Sequence, residues 1–152
     1  MTLPVFDDNG DLPPGVHAAS MQEVVERFGL TTARRVAVGQ RLTRIHELAV
    51  ATGHVARFVV FGSFVTSKAE PNDVDVFIVM DNDFDFATTV GETRLMFEHG
   101  SAQSHFGASL FWLRELAAYN GVEAAIADWQ IKRDGTERGI VEITQDSNND
   151  QE

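Results

Sequence analysis

Gly62-Ser63 and, a short way on, Asp73-Val74-Asp75 are the residues whose types and spacing could do chemistry in this chain. In an extended strand, alternation sets Asp73 and Asp75 on one face, roughly 7 Å apart along the chain. Side chains of that length can converge on one divalent ion or on a pair of them. Magnesium favours hard oxygen ligands and takes one or two carboxylates together with substrate phosphates; manganese accepts the same donors. Gly62 lets the backbone pass close to a phosphate. Ser63 adds a hydroxyl and an N–H at the start of a short helix, a natural place for an anion. Lys68, in the loop between the two motifs, supplies a cation for a triphosphate; a plain surface lysine is the even alternative. The bland reading of the whole set is a turn glycine, a capping serine and two polar residues on an exposed strand face.

The flanking sequence supplies the elements such a site needs. Ala56 to Phe61 is a short β-branched and aromatic run that reads as a buried strand ending at Gly62, and Val74 to Met80 is the clearest strand in the chain. Upstream, Ser20-Met21-Gln22-Glu23 has the form of a capping box that opens a helix to Phe28. A longer helix runs from Thr31 or Thr32 to about Thr52, with Val38, Leu42, Ile45, Leu48 and Ala49 on one stripe, and Gly53 stops it. Downstream, Phe84 to Phe97 reads as helical and Ala108 to Leu113 as a third core strand. Arg114 to Ala127 reads as a helix interrupted at Asn120-Gly121. Trp129–Arg133 and Gly139–Thr144 alternate around Asp134-Gly135-Thr136, which signals a hairpin. The pattern predicts an α/β (α+β) single domain over residues 1–145, with residues 1–19 extended along its surface and a disordered acidic tail at 146–152.

Composition narrows the partners. The chain has 152 residues, 43% hydrophobic, which suits one core and leaves no room for a second domain. No apolar run approaches the ~20 residues that span a bilayer, and residues 1–16 hold Pro4, Pro13 and Pro14 but no basic residue, unlike a signal peptide. The absence of cysteine excludes disulfides and thiolate metal sites. A cytoplasmic protein with no membrane partner is the expectation. The net charge of -11 disfavours tight binding to a phosphate backbone unless the few basic residues are gathered in one place. A small molecule, a protein, or a metal bridging two negative groups stays compatible with it.

Phe61-Gly62-Ser63, nine intervening residues, then Asp73-Val74-Asp75-Val76 resembles the signature of the polymerase-beta-type nucleotidyltransferase superfamily. The segments Leu3 to Gly15 and Lys132 to Ile143 look like the two ends of a small, poorly characterised bacterial and phage branch of it. The resemblance implies a nucleotidyltransferase fold, a mixed central sheet flanked by helices. It also implies a Mg2+ (or Mn2+) site on Asp73 and Asp75 and an NTP whose phosphates lie on the Gly62-Ser63 turn. An NMP group would pass to an acceptor hydroxyl on RNA, a protein or a small molecule. Active members usually add a third carboxylate from the next core strand, where this chain has Ser109. That departure implies an alternative: an inactive module of the same fold that binds nucleotide or a protein partner, for example in a toxin–antitoxin pair.

Other signals carry less. Asp81, Asp83, Asp85 and Glu92 occupy places one, three, five and twelve of a calcium loop, but Phe86 stands where the sharp turn needs glycine. Their expected role is to cap the helix that follows. His17, His46, His54 and His99 show no metal-ligand spacing. The phenylalanines and Trp112 are expected in the core, and there is no P-loop, dinucleotide fingerprint or Ser-His-Asp site.

Overall fold

A strand that is buried on both faces needs a layer on each, and the two faces of this sheet are covered very unequally. In the computed structural model, which describes residues 3–144, five strands form one mixed sheet. They are β1 (Val16–Ala19), β2 (Val55–Phe61), β3 (Val74–Met80), β4 (Ala108–Arg114) and β5 (Ile140–Ile143), in the spatial order β1-β5-β2-β3-β4. β2 runs antiparallel to both β3 and β5, whereas β3 with β4 and β1 with β5 are parallel. The protein is a single mixed α/β domain.

One face carries Phe58, Val60, Val76, Ile78, Met80, Leu110 and Val141 and packs on the helices. The helix α1 (Met21–Phe28) starts at Ser20, whose hydroxyl accepts the Glu23 amide at 3.1 Å while Glu23 accepts the Ser20 amide at 2.8 Å. The expected capping box is therefore formed. The helix α2 (Ala33–Ala51) is capped by Thr32 and buries Val38, Leu42, Ile45 and Ala49, the stripe read from the sequence with only Leu48 left at its margin. The opposite face carries Val59, Phe77, Val79 and Ile140, covered by Ile126 and Trp129 from the short helix α5 (Val122–Ala127) and the turn after it. Asp75 alternates with Phe77 and Val79, so the acidic residues lie on this thinly covered face.

The sheet differs from the sequence reading in three places. Phe84 to Phe97 is not one helix: a 3-10 turn at Phe86–Thr88 is followed by α3 (Gly91–Met96), and a further helix, α4 (His99–Phe106), completes the crossover to β4. Gly91 at φ +61° breaks the run, and Gly107 at φ +64° ends α4. Residues 115–121 form a 3-10 turn and loop rather than the first half of a helix. The hairpin around Asp134 is only a short turn with one bridge, Ile131 to Glu137. Ile140–Ile143 pairs instead with β1 and β2, because its three isoleucine and valine side chains are buried only in the interior of the sheet. The acidic tail at 146–152 lies outside the described residues.

Candidate functional site

The site is built at the end of β2 and the start of β3, where three strands meet. Antiparallel pairing sets Phe61 opposite Asp75, and parallel pairing sets Ser109 opposite Asp75 on the other side. Asp75 thus stands between the end of β2 and the start of β4. Asp73 precedes the strand by one residue, and the Ser109 hydroxyl donates to its Oδ2 at 3.2 Å. Gln103, from α4, donates in turn to the Ser109 oxygen at 3.3 Å. The position that the sequence assigned to Ser109 is the one it occupies: beside both carboxylates.

Gly62 is there because nothing else fits. Its φ of +81° is a conformation that side chains rarely adopt, and a Cβ on it would collide with the Asp75 carboxylate. The strand therefore turns away directly over Asp75, and Ser63 opens a 3-10 turn, Ser63–Val65. Among the described residues the Ser63 hydroxyl has no hydrogen-bond partner, and the backbone carbonyl of Ser63 accepts the Thr66 hydroxyl at 2.7 Å.

This turn is held from below by a residue the sequence reading passed over. Arg35 on α2 is buried, at 3% exposure, and its guanidinium donates to the carbonyls of Phe28 at 3.0 Å, Phe64 at 2.7 Å and Thr66 at 2.7 Å, and also to Lys68. Burial pushes the guanidinium below its ordinary pKa, and the charge of Glu70 partly opposes that. The fork of donors satisfies carbonyls that a 3-10 turn and the loop after it leave without ladder partners. An arginine on the apolar stripe of a predicted helix, three residues ahead of Val38 and one turn before it, was the available signal.

Two carboxylates this close repel. The Asp75 carboxyl is pushed up to about 6, first by burial and then by the charge of Asp73 and a proton shared with it. A hydrogen bond from Ser109 and the positive charge of Arg138 oppose the rise. A divalent cation would relieve the same repulsion, and the donor set of hard oxygens fits one. Among the described residues no group of three or more carboxylate or imidazole side chains converges as a metal cage. Glu98 and Glu115 are exposed and do not complete one.

The other residues singled out in the sequence are dispersed. Lys68 is exposed on the loop after the 3-10 turn, and its ammonium makes no ion pair among the described residues. The carboxylates of the pseudo-calcium loop have separate partners: Asp81 binds His54 at 2.9 Å, Asp85 caps the following turn through the Ala87 amide at 3.0 Å, and Glu92 pairs with Arg44 at 2.6 Å and His105 at 3.0 Å. Two phenylalanines expected in the core, Phe61 and Phe111, are not fully buried, and both lie against Trp129 on the face that carries Asp75. Phe61 stacks on Trp129 with centroids 4.4 Å apart, and Trp129 lies 5.0 Å from Phe111, which is 37% exposed.

A mixed sheet with two carboxylates on its open face and a glycine turn folded over them defines the class of site. Residues 4–144 match a family described as a family of unknown function, DUF6932, and the chain belongs to that family. No curated protein and no solved structure shows significant similarity to it.

Proposed function

We propose that the protein binds a nucleoside triphosphate as its magnesium or manganese complex and transfers the NMP group to an acceptor hydroxyl. The observation that carries this reading is the stacking of Gly62 directly over the Asp75 carboxylate, with Asp73 alongside. An anion-accepting turn and a cation-accepting pair are thereby brought to one point. The nucleotidyltransferase resemblance of the same residues points the same way.

In this reading Asp73 and Asp75 hold the metal, and Gly62 and Ser63 receive the phosphates, with Lys68 within the loop that follows. The metal would offset the charge of the carboxylates and of the phosphate oxygens. The acceptor oxygen forms a bond to the α-phosphorus while the bond to the bridging oxygen breaks, and pyrophosphate leaves. The hydroxyl proton must go to a base, and the carboxylates at the centre of the site are those of Asp73 and Asp75. Gly62 and the Arg35-braced loop keep the phosphate-binding turn in place, so orientation costs little on binding.

A second reading is favoured by one specific observation: Ser109, not a carboxylate, is the residue opposite Asp75. A serine does not take a proton at neutral pH and binds magnesium weakly, so the site is better equipped to bind than to turn over. The protein would then be a nucleotide-binding or partner-binding module. Incubation with α-phosphate-labelled NTPs and magnesium, in the presence of an RNA, protein and metabolite extract, separates the two. Label transfer with equimolar pyrophosphate release supports the enzyme; tight magnesium-dependent NTP binding without release supports the module.

A further inference from the structure

In a chain of net charge -11, two of the twelve basic residues converge on a single buried carboxylate. Lys132 Nζ lies 3.3 Å from Asp11 Oδ2 and Arg138 Nη1 lies 3.4 Å from Asp11 Oδ1. One carboxylate neutralises one cation, so this cluster keeps a surplus positive charge. Both cations stay about a quarter exposed, at 28% and 26%.

The cluster stands beside the loop that follows the Gly62-Ser63 turn. Asp11 forms an antiparallel bridge with Thr66, the residue that ends the turn begun by Gly62-Ser63. The adjacent Ser67 amide donates to Gly10 at 2.8 Å, which fixes the N-terminal segment along that loop. From the other side, β5 pairs with β2 at Val59–Glu142 and Val60–Val141. Because the two strands run antiparallel, the residues just before β5, Arg138 among them, lie toward the end of β2. Ile140, the first residue of β5, lies on the face of Phe77 and Val79, which is the face that carries Asp75. The positive charge of Arg138 is among those felt by Asp75.

We propose that Arg138, with Lys132 behind it, is the anion-receiving wall of the site and binds the polyphosphate chain of a metal-complexed ligand. This rests on the metal–nucleotide reading above and adds to it the residues that take the phosphates. Asp11 is the positioning residue: it holds both side chains in place without cancelling both charges. A divalent ion on Asp73 and Asp75 leaves a triphosphate still negative, and a surplus cation complements the remainder. The planar fork of arginine matches two phosphate oxygens at once. Lys68, exposed on the loop just after Thr66, is not needed for this role.

The test measures two affinities separately in the full chain: Mn2+ alone, by electron paramagnetic resonance, and the magnesium complexes of inorganic triphosphate and of each NTP, by calorimetry. Arg138→Gln and Lys132→Gln each leave one cation on Asp11, which protects the fold, and unchanged melting temperatures check that. The expected result is at least an about tenfold loss of triphosphate affinity in Arg138→Gln, with Mn2+ affinity unchanged and partial rescue by Arg138→Lys. Triphosphate affinity within about twofold of wild type in Arg138→Gln overturns the inference while Mn2+ binding keeps the metal reading. Loss of triphosphate binding in Arg138→Gln, in a protein that does not bind Mn2+, supports the anion wall and overturns the metal reading instead. Equal dependence on Arg138 for NTPs and inorganic triphosphate supports the wall in either source of the phosphate chain; NTP binding that ignores Arg138 overturns it for nucleotides.

Discussion

Ser109 stands directly opposite Asp75 in the parallel pairing of β3 and β4 and donates its hydroxyl to Asp73 at 3.2 Å. The serine therefore serves as a neutral hydrogen-bond donor at the place where a third charge could sit. Ser109→Asp is expected to tighten Mn2+ binding by about tenfold, because three hard oxygens hold the ion better than two. It should also lower the melting temperature of the metal-free protein, by crowding three like charges. Spin-resonance titration and thermal unfolding in chelator measure the two effects, and a variant that binds Mn2+ no better than wild type contradicts the geometry.

Asp75 gives the metal-free protein a pH dependence with a defined sign. Its carboxyl titrates near 6 in the folded state, above the ordinary aspartate value of 3.8. The folded protein thus binds this proton more tightly than the unfolded chain does. The stabilising contribution of the proton is fully present below about pH 4 and is lost as the pH rises to about 6 and beyond. Asp75→Asn is therefore expected to stabilise the metal-free protein by about 1–2 kcal/mol at about pH 8, allowing for partial exposure, and not at about pH 4. Urea unfolding at the two pH values checks it. Equal effects at both would show that the carboxyl is not perturbed.

Arg35 is expected to be worth more to the site than to any partner it could have in solution. Arg35→Met removes donors from several buried carbonyls around the Gly-Ser turn. The expected loss is about 3 kcal/mol, or about 10 °C in melting temperature. Amide hydrogen exchange should rise first in residues 63–68. A variant that keeps both its melting temperature and its protection there would contradict the bracing role.

Gly62→Ala tests how tightly the turn lies on the acidic pair. The added methyl meets the Asp75 carboxylate in a backbone conformation unfavourable to alanine, so a loss of about 2 kcal/mol or more is expected. Combining it with Asp75→Gly, which removes the obstructing side chain, should recover the steric part but not the conformational part. Double-mutant unfolding energies that add without coupling would show that the two residues do not touch.

The strands and helices that carry the site were legible because each announces itself locally: Ala56–Phe61 and Val74–Met80 by β-branched residues, Ser20 by its capping box, and α2 by its apolar stripe. Alternation alone set Asp73 and Asp75 on one face. The second strand pair was not legible. β1 and β5 are four residues each and lie far apart in sequence, so only the assembled sheet, not local pattern, selects their partners. For the same reason the gathering of Asp11, Lys132 and Arg138 is invisible along the chain, although two of the three flank an evident turn. Phe61 and Phe111 read as core because an aromatic residue in a strand gives no sign of which face is left thinly covered.

In the proposed function, Asp73 and Asp75 bind the metal complex of a nucleoside triphosphate. Calorimetric titration of the four NTPs, with and without magnesium, into wild type and Asp73→Asn/Asp75→Asn tests it most directly. The expected result is magnesium-dependent binding of at least one NTP to wild type, lost in the double variant while its unfolding transition remains cooperative. Absence of binding of every NTP, or binding that the double variant retains unchanged, would contradict it.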